Sequence, residues 1–206
     1  LSLHDALPIW LVAEDPTNVL HRTKLTFILS STGRNLYGLE RYAESARVTG
    51  ESCAISRAIV EADPTNTREL GSHALSLGFH GLAAYHAGDH EEARRILEEA
   101  RPLARQALAA TPENGVFQNA VCQSLILEGL LARDDGDAAR ARACWEEAMG
   151  MLDAQAWSRS TGQGMGMHLE LSLLLGREDD AREAAKALVE KHWMMPRWQS
   201  MIAALG

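Results

Sequence analysis

Cysteine is scarce in this 206-residue chain: Cys53, Cys122 and Cys144 are the only three. An odd number with no C-x-x-C pair excludes a disulfide framework and fits a reducing compartment, so a cytoplasmic location is expected. Aromatic residues are also few, 5% of the chain against 46% hydrophobic residues in all. The core must therefore be built mainly from small aliphatic side chains, and that apolar share excludes disordered and collagen-like classes. Basic residues are outnumbered, 20 against 28 acidic, for a net charge of -8. That sign is wrong for a surface that tracks phosphates, so no nucleic-acid partner is expected. No run approaches the ~18 uncharged apolar residues a membrane span needs. The most apolar stretch, residues 169–175, is short and carries Glu170, so no membrane insertion is expected.

The chain opens on Leu, and residues 1–9, Leu-Ser-Leu-His-Asp-Ala-Leu-Pro-Ile, resemble a translated sequencing adapter. Asp5 and Pro8 interrupt the apolar centre a signal peptide would need. The natural segment is expected to start near Trp10, with an upstream portion lost.

Internal repetition organises the rest. Glu14-Asp15-Pro16-Thr17-Asn18 recurs as Ala62-Asp63-Pro64-Thr65-Asn66 and more loosely as Ala110-Thr111-Pro112-Glu113-Asn114, so the prolines stand 48 residues apart, 64 − 16 and 112 − 64. Each copy offers Asp or Thr as an N-cap with Pro at the first helical position, and Asn66 with Glu69 offers an alternative cap three residues on. Gly88-Asp89 and Gly136-Asp137 break their units midway, the glycine supplying a positive φ and the Asp capping the second helix. Each unit is thus predicted to be two antiparallel helices.

Around Gly88, the residues Leu77, Gly81, Ala84, Ala93, Leu97 and Ala100 fall at helix-facing intervals, with small residues where two helices must approach closely. Leu125, Gly129, Ala132, Gly136, Ala141, Trp145 and Ala148 form the matching set in the third unit, and Met165, Leu169, Gly176, Ala181, Ala185 and Leu188 in a shorter fourth. The first unit is degenerate, with Gly33, Leu36, Ser45, Thr49 and Ser52 in those places and Glu40 where the turn glycine belongs. The pattern resembles a tetratricopeptide repeat (TPR). The fold class expected is all-α, an α-solenoid of antiparallel helix pairs with about four units, near 13–60, 61–108, 109–156 and 157–191. The period exceeds that family's usual 34, and the excess is assigned to the stretch after the second helix, Arg101 to Ala110. It forms either a second helix lengthened and kinked at Pro102 or a separate short helix starting there. A last helix, within a cap at 195–206, follows Pro196, and its apolar face of Trp198, Met201, Ile202 and Leu205 is expected to cover the end of the stack.

The phrases Ala-Gly-Asp-His-Glu-Glu-Ala-Arg and Asp-Gly-Asp-Ala-Ala-Arg-Ala, in long repeats with Pro-Asn linkers, resemble the C-terminal repeat regions of bacterial serine/threonine protein kinases. The resemblance implies a bacterial signalling protein whose kinase domain lies upstream. The kinase motifs are missing here, and His21-Arg22-Thr23 lacks the catalytic Asp.

No catalytic residue, metal site or cofactor is assigned. Gly162-Gln163-Gly164-Met165-Gly166 meets neither the Walker nor the dinucleotide spacing and reads as the start of a helix whose glycines permit close packing. His73, His80, His86 and His90 are dense, but Gly88 and Asp89 separate the last two at a helix break. Cys122 and Cys144 read as core fillers. Acidic clusters such as Glu91-Glu92, Glu98-Glu99 and Glu178-Asp179-Asp180 read as solvated faces, with Arg94, Arg95 and Arg182 as helical-spacing partners.

What remains is the inner surface. In the TPR family, first helices line a concave groove that takes a peptide or helix. The resemblance places Phe27, Ser30, Arg34, Tyr37, Leu75, Leu82, Tyr85, His86, Gln123, Ile126, Arg133 and Glu170 in that row, with Arg34, Tyr37, Tyr85, His86, Gln123 and Arg133 as the partner-binding set. Ser30, Arg34, Phe79, Gln123 and Leu127 occupy the places where a chaperone-tail clamp needs Lys and Asn, which argues against that clamp. Tyr37 and Tyr85 have an alternative role, sealing adjacent repeats. The expected function is a non-enzymatic interaction or scaffold module for a protein or peptide partner. The alternative is a ligand-sensing repeat domain of a transcriptional regulator or cyclase-type enzyme.

Overall fold

The computed structural model describes residues 12, 14, 15, 18–154 and 161–205, so the adapter-like segment lies outside the described residues. Among these residues there are nine helices in sequence and no strand: α1 (Val19–Gly38), α2 (Tyr42–Ala62), α3 (Thr67–His86), α4 (His90–Ala110), α5 (Gly115–Asp134), α6 (Ala138–Asp153), α7 (Gly162–Leu174), α8 (Glu178–Glu190) and α9 (Pro196–Ala203). They pair as α1/α2, α3/α4, α5/α6 and α7/α8, and α2 and α4 each also pack on the first helix of the next pair. The result is the expected all-α solenoid.

The first helices begin 48 residues apart, at Val19, Thr67 and Gly115, but not at the prolines. Asn18, Asn66 and Asn114 are the N-caps, accepting from His21 N (3.2 Å), Glu69 N (3.2 Å) and Val116 N (2.9 Å). Pro64 and Pro112 sit one residue after the start of turns closed by Asn66 N to Asp63 O and Asn114 N to Thr111 O. A fixed φ suits proline to that turn position, and the turn then delivers the Asn oxygen to the first free amides of the helix.

The period beyond 34 is shared between both helices of a unit, 20 residues in α3 and 21 in α4, rather than lying wholly after the second. Pro102 falls inside one continuous α4, which settles the sequence alternatives in favour of a lengthened helix. Its buried stripe of Ala93, Ile96, Ala100, Ala104 and Ala107 runs on past the proline, so burial of that face outweighs one lost backbone donor.

The midway breaks share one geometry. Gly88 (φ 90°), Gly136 (φ 82°) and Gly176 (φ 69°) are left-handed, as are Glu40 (φ 60°) and, at the end of α8, His192 (φ 56°). In each case the next amide reaches back to close the helix end, as in Asp89 N to Ala84 O (2.9 Å) and Arg41 N to Leu36 O (2.9 Å). Between paired helices, Gly129 lies flat against the Trp145 indole, where a Cβ would overlap the ring, and Trp145 Nε1 donates to Ile126 O.

The degenerate first pair is joined differently. Ser45 Oγ donates to Gly33 O (2.8 Å), Ser52 Oγ donates to Thr26 O (3.0 Å), and Ser30 Oγ lies 2.8 Å from Ser52 Oγ and 2.7 Å from Ser76 Oγ. Hydroxyls thus replace the alanines at this seam and are satisfied across it. Arg95 and Arg182 pair within their own helices as expected, but Arg94 reaches Asp135 of the next unit.

Trp145→Ala should cost about 3–5 kcal/mol in denaturant unfolding, and a loss below about 1 kcal/mol would place the ring at the surface. Glu40→Gly should stabilise by about 0.5–1 kcal/mol, because relief of the left-handed strain of an L-residue exceeds the added entropy of the unfolded chain. An unchanged unfolding midpoint would mean that the Glu40 backbone carries no strain.

Candidate functional site

Several of the predicted groove residues line one chamber, partly open to solvent. Phe79 and Leu82 of α3 with Gln123 and Ile126 of α5 form its floor. Arg34, Tyr37 and Gly38 of α1 form one wall, and Gln163, Gly166, Met167 and Glu170 of α7 the other. Met195, Arg197 and Trp198 close it, leaving a cavity of about 200 Å³. A second cavity, about 360 Å³, lies where the third and fourth pairs meet, against Asp153, His168, Arg177 and Glu183.

The closure depends on α9. Its apolar residues Trp198, Met201 and Ile202, with Leu205 just beyond, pack on the α7/α8 core as the sequence predicts. The same segment also reaches the first pair through Arg197, the only buried residue of α9. Arg197 Nη1 donates to Tyr42 Oη (2.8 Å), and Nη2 donates to Glu170 Oε1 (2.6 Å) and lies 3.3 Å from His86 Nε2. The guanidinium carbon stands 4.6 Å from the Tyr37 ring centre and 5.8 Å from that of Tyr42. Side-chain exposure is only 7% for Arg197 and 13% for Glu170. Burial works against the Arg197 charge, yet Glu170 and the two tyrosines hold its pKa above the ordinary value. His86 is pushed down to about 3 by burial, then by the Arg197 and Arg133 charges. It is therefore neutral and accepts from Arg197.

The six predicted partner-binding residues divide into two groups. Arg34, Tyr37 and Gln123 line the chamber, and His86, stacked on Tyr42 at 5.0 Å, belongs to the Arg197 seat. Arg34 makes no ion pair among the described residues. Its guanidinium lies 5.9 Å from the Phe79 ring centre, and burial lowers its pKa. Among the described residues the Gln123 amide oxygen and the Gln163 amide nitrogen are buried without hydrogen-bond partners, while the Tyr37 hydroxyl sits beside the Arg197 charge, and burial, then Glu170, pushes its pKa well up. Tyr85 and Arg133 instead form a junction between the second and third units. Tyr85 Oη donates to Asp134 (2.7 Å) and accepts from Arg133 Nη2 (3.0 Å), and its ring stacks on His90 at 4.7 Å. Tyr85 is thus engaged in sealing repeats, the alternative role named for it above.

Of the wider groove row, Phe27 is 71% exposed and Ser30 is used in the first seam. Tyr42, Gln163, Met167, Met195, Arg197 and Trp198 lie outside that row, and no local signal marks them as groove residues: Trp198 read only as part of the last helix's apolar face and Gln163 only as part of a helix start. His86 and His90 lie against Tyr85, edge-on at 5.2 Å and stacked at 4.7 Å, but their polar atoms are 3.3 Å from Arg197 and 3.6 Å from Asp134 respectively, and His73 is spent on Ser56 (2.7 Å) and Glu99 (3.4 Å). Among the described residues no three His, Cys, Asp or Glu side chains group as metal ligands, and no helix is long and apolar enough to cross a membrane. Cys53 and Cys122 are buried thiols, each pushed up to about 12 by burial, far from the thiolate a nucleophile needs.

By fold, then, this is a TPR-like helical-repeat protein. It is similar to the crystal structure of a thermophilic TPR protein from Thermus thermophilus, at 18% identity over 97% of this chain and 89% of that one, with a TM-score of 0.56. At that identity the likeness is one of fold. No protein-family model and no curated protein matches the chain.

His86 makes the closed state sensitive to acid. Its folded pKa of about 3 lies below the ordinary 6.5, so the unfolded chain takes up the proton first, and stability falls as pH drops from about 6.5 toward 3. His73 and His80, also lowered by burial, act in the same direction. Between pH 7.5 and 5 the His86 contribution should be a loss of about 1–2 kcal/mol, read by urea unfolding. His86→Gln should flatten that dependence, and an unchanged slope would mean that His86 charges freely in the folded protein.

Proposed function

We propose that the chain is a protein-interaction module that takes a segment of a partner protein on its concave face, with Arg34, Tyr37, His86 and Gln123 inside the groove and Tyr85 and Arg133 at its edge. The observation that carries this reading is that a chain segment already sits there: residues 195–198 cross from the fourth pair to the first and bury an arginine between them. Aromatic rings and Arg side chains supply much of the binding energy at such surfaces. A displayed peptide library selected on the full chain should yield binders. Those binders should lose at least about tenfold in affinity, about 1.4 kcal/mol, with Arg34→Ala and Arg133→Ala, but not with Arg105→Ala on an outer helix. Binders indifferent to the first two variants would place the binding surface elsewhere.

A small-molecule sensor is the second reading. It is favoured by the cavity of about 200 Å³ and by the unpartnered polar atoms on the residues that line it. Placement as the tail of a larger bacterial signalling protein, such as a serine/threonine kinase in the cytoplasm, draws its support from the linker phrases alone. The unbroken reading frame tests it: a kinase domain upstream supports it, and a DNA-binding or cyclase domain reassigns the output.

A further inference from the structure

The Arg197 seat is built from four helices that no local sequence feature connects. Tyr37 lies on α1, Tyr42 on α2, His86 on α3 and Glu170 on α7. Its chemistry selects a guanidinium over an ammonium. Two terminal nitrogens reach acceptors on different helices, Tyr42 at 2.8 Å and Glu170 at 2.6 Å, while the flat carbon lies over the Tyr37 ring. A planar fork meets all of these at once, and a compact, strongly hydrated ammonium does not.

The side chain that fills the seat belongs to an eight-residue helix whose other residues are partly or fully exposed. That helix is held besides by Trp198, Met201 and Ile202 on the α7/α8 core and by Ser200 Oγ donating to Glu40 Oε2 (3.1 Å), and a helix that short has little stability of its own. Leaving the seat empty would strand a nearly buried Glu170 carboxylate, whereas exchanging one arginine for another preserves every contact. The chain's net charge of -8 draws cationic segments toward it. The chamber beside the seat, now bordered by Met195 and Trp198, has room for an aromatic or long apolar neighbour of the incoming arginine.

We propose that Tyr37, Tyr42, His86 and Glu170 form a guanidinium-binding site for an arginine on a cationic segment of a partner protein, and that Arg197 of the chain's own C-terminal segment occupies it in the partner's absence. The proposal rests on the interaction-module reading and gives it a partner chemistry: an arginine followed by an aromatic residue. The tethered Arg197 competes at high effective concentration, so the closed chain binds weakly and displacement of α9 accompanies binding.

The test uses full-length chain carrying Arg197→Ala and, as probe, an amidated synthetic peptide of residues 193–200, titrated by calorimetry. The peptide should bind this variant at least tenfold more tightly than it binds the parent. Lysine in place of the peptide's arginine should weaken binding at least tenfold, and Glu170→Gln in the variant should abolish it. Equal affinity for the lysine and arginine peptides, equal affinity of parent and variant, or no binding to the variant would each overturn the proposal. Should Arg197→Ala lose its helical spectrum, full-length Arg197→Lys, which keeps the charge, carries the same comparison. Library-selected peptides that bind the concave face without needing arginine would overturn this inference and leave the interaction module standing.

Discussion

One buried guanidinium sets the form of the concave face. Arg197 meets Tyr42 across 155 residues of sequence and Glu170 across 27, so the fourth pair, the C-terminal segment and the first two pairs converge on a single point. A solenoid contacts only neighbouring units along its length, whereas here Arg197, with Ser200 donating to Glu40 and Met195 packed on Gly38, ties the first pair of the stack to the last. A buried ion pair is a poor source of net stability, because desolvation of both charges offsets their attraction. What it supplies here is geometry: the two ends close together only where carboxylate, two phenol rings and imidazole can surround the same cation.

That long reach explains which parts of the molecule were legible in the sequence. The helix pairs were, because their signals are local and recur every 48 residues: the turn glycines at 88, 136 and 176, the small residues facing Ile96 and Trp145, and the apolar face of α9. Asn66 was visible as an alternative cap, but choosing it over Asp63-Pro64, and extending the choice to Asn18 and Asn114, required knowing that the proline sits in a turn with its own hydrogen bond. The seat was not legible. Arg197 reads as one basic residue beside Pro196, and its role depends on Tyr42 and Glu170, whose own surroundings predict only a helix start and a groove wall. Tyr85 and His86 illustrate the same limit at one residue's distance. A helix turns about 100° per residue, which carries Tyr85 to Asp134 of the next unit and His86 to the groove, so their joint assignment to one face separated once the helices were placed.

The degenerate first unit makes sense in the same physical terms. Where later pairs set glycine against Ile96 or Trp145, α1 and α2 meet through Ser45, Thr49 and Ser52, all fully buried. Such hydroxyls are costly only when unsatisfied, and Ser45 and Ser52 each donate to a carbonyl on the facing helix. A seam of this kind has directional bonds in place of close apolar contact. It holds α1 against α2 at the end of the stack where Tyr37 and Tyr42 must present their rings to Arg197.

The distribution of unspent polarity follows from this arrangement. Away from the chamber charges are largely spent on one another, Arg57 with Glu99, Arg94 with Asp135 and Arg105 with Glu147, the last two exposed pairs that contribute little to stability, and all three leave little to offer a ligand. Inside the chamber, beside the Arg197–Glu170 pair, polarity is left over: among the described residues Arg34 faces no carboxylate, and Gln123 and Gln163 each keep a buried polar atom without a partner. Folding alone does not favour such groups, since each buried unsatisfied atom costs about 1–3 kcal/mol. Their concentration on one face, beside the only arginine that the C-terminal helix buries, makes the concave chamber the part of the surface where an incoming segment gains the most hydrogen bonding for the water it displaces.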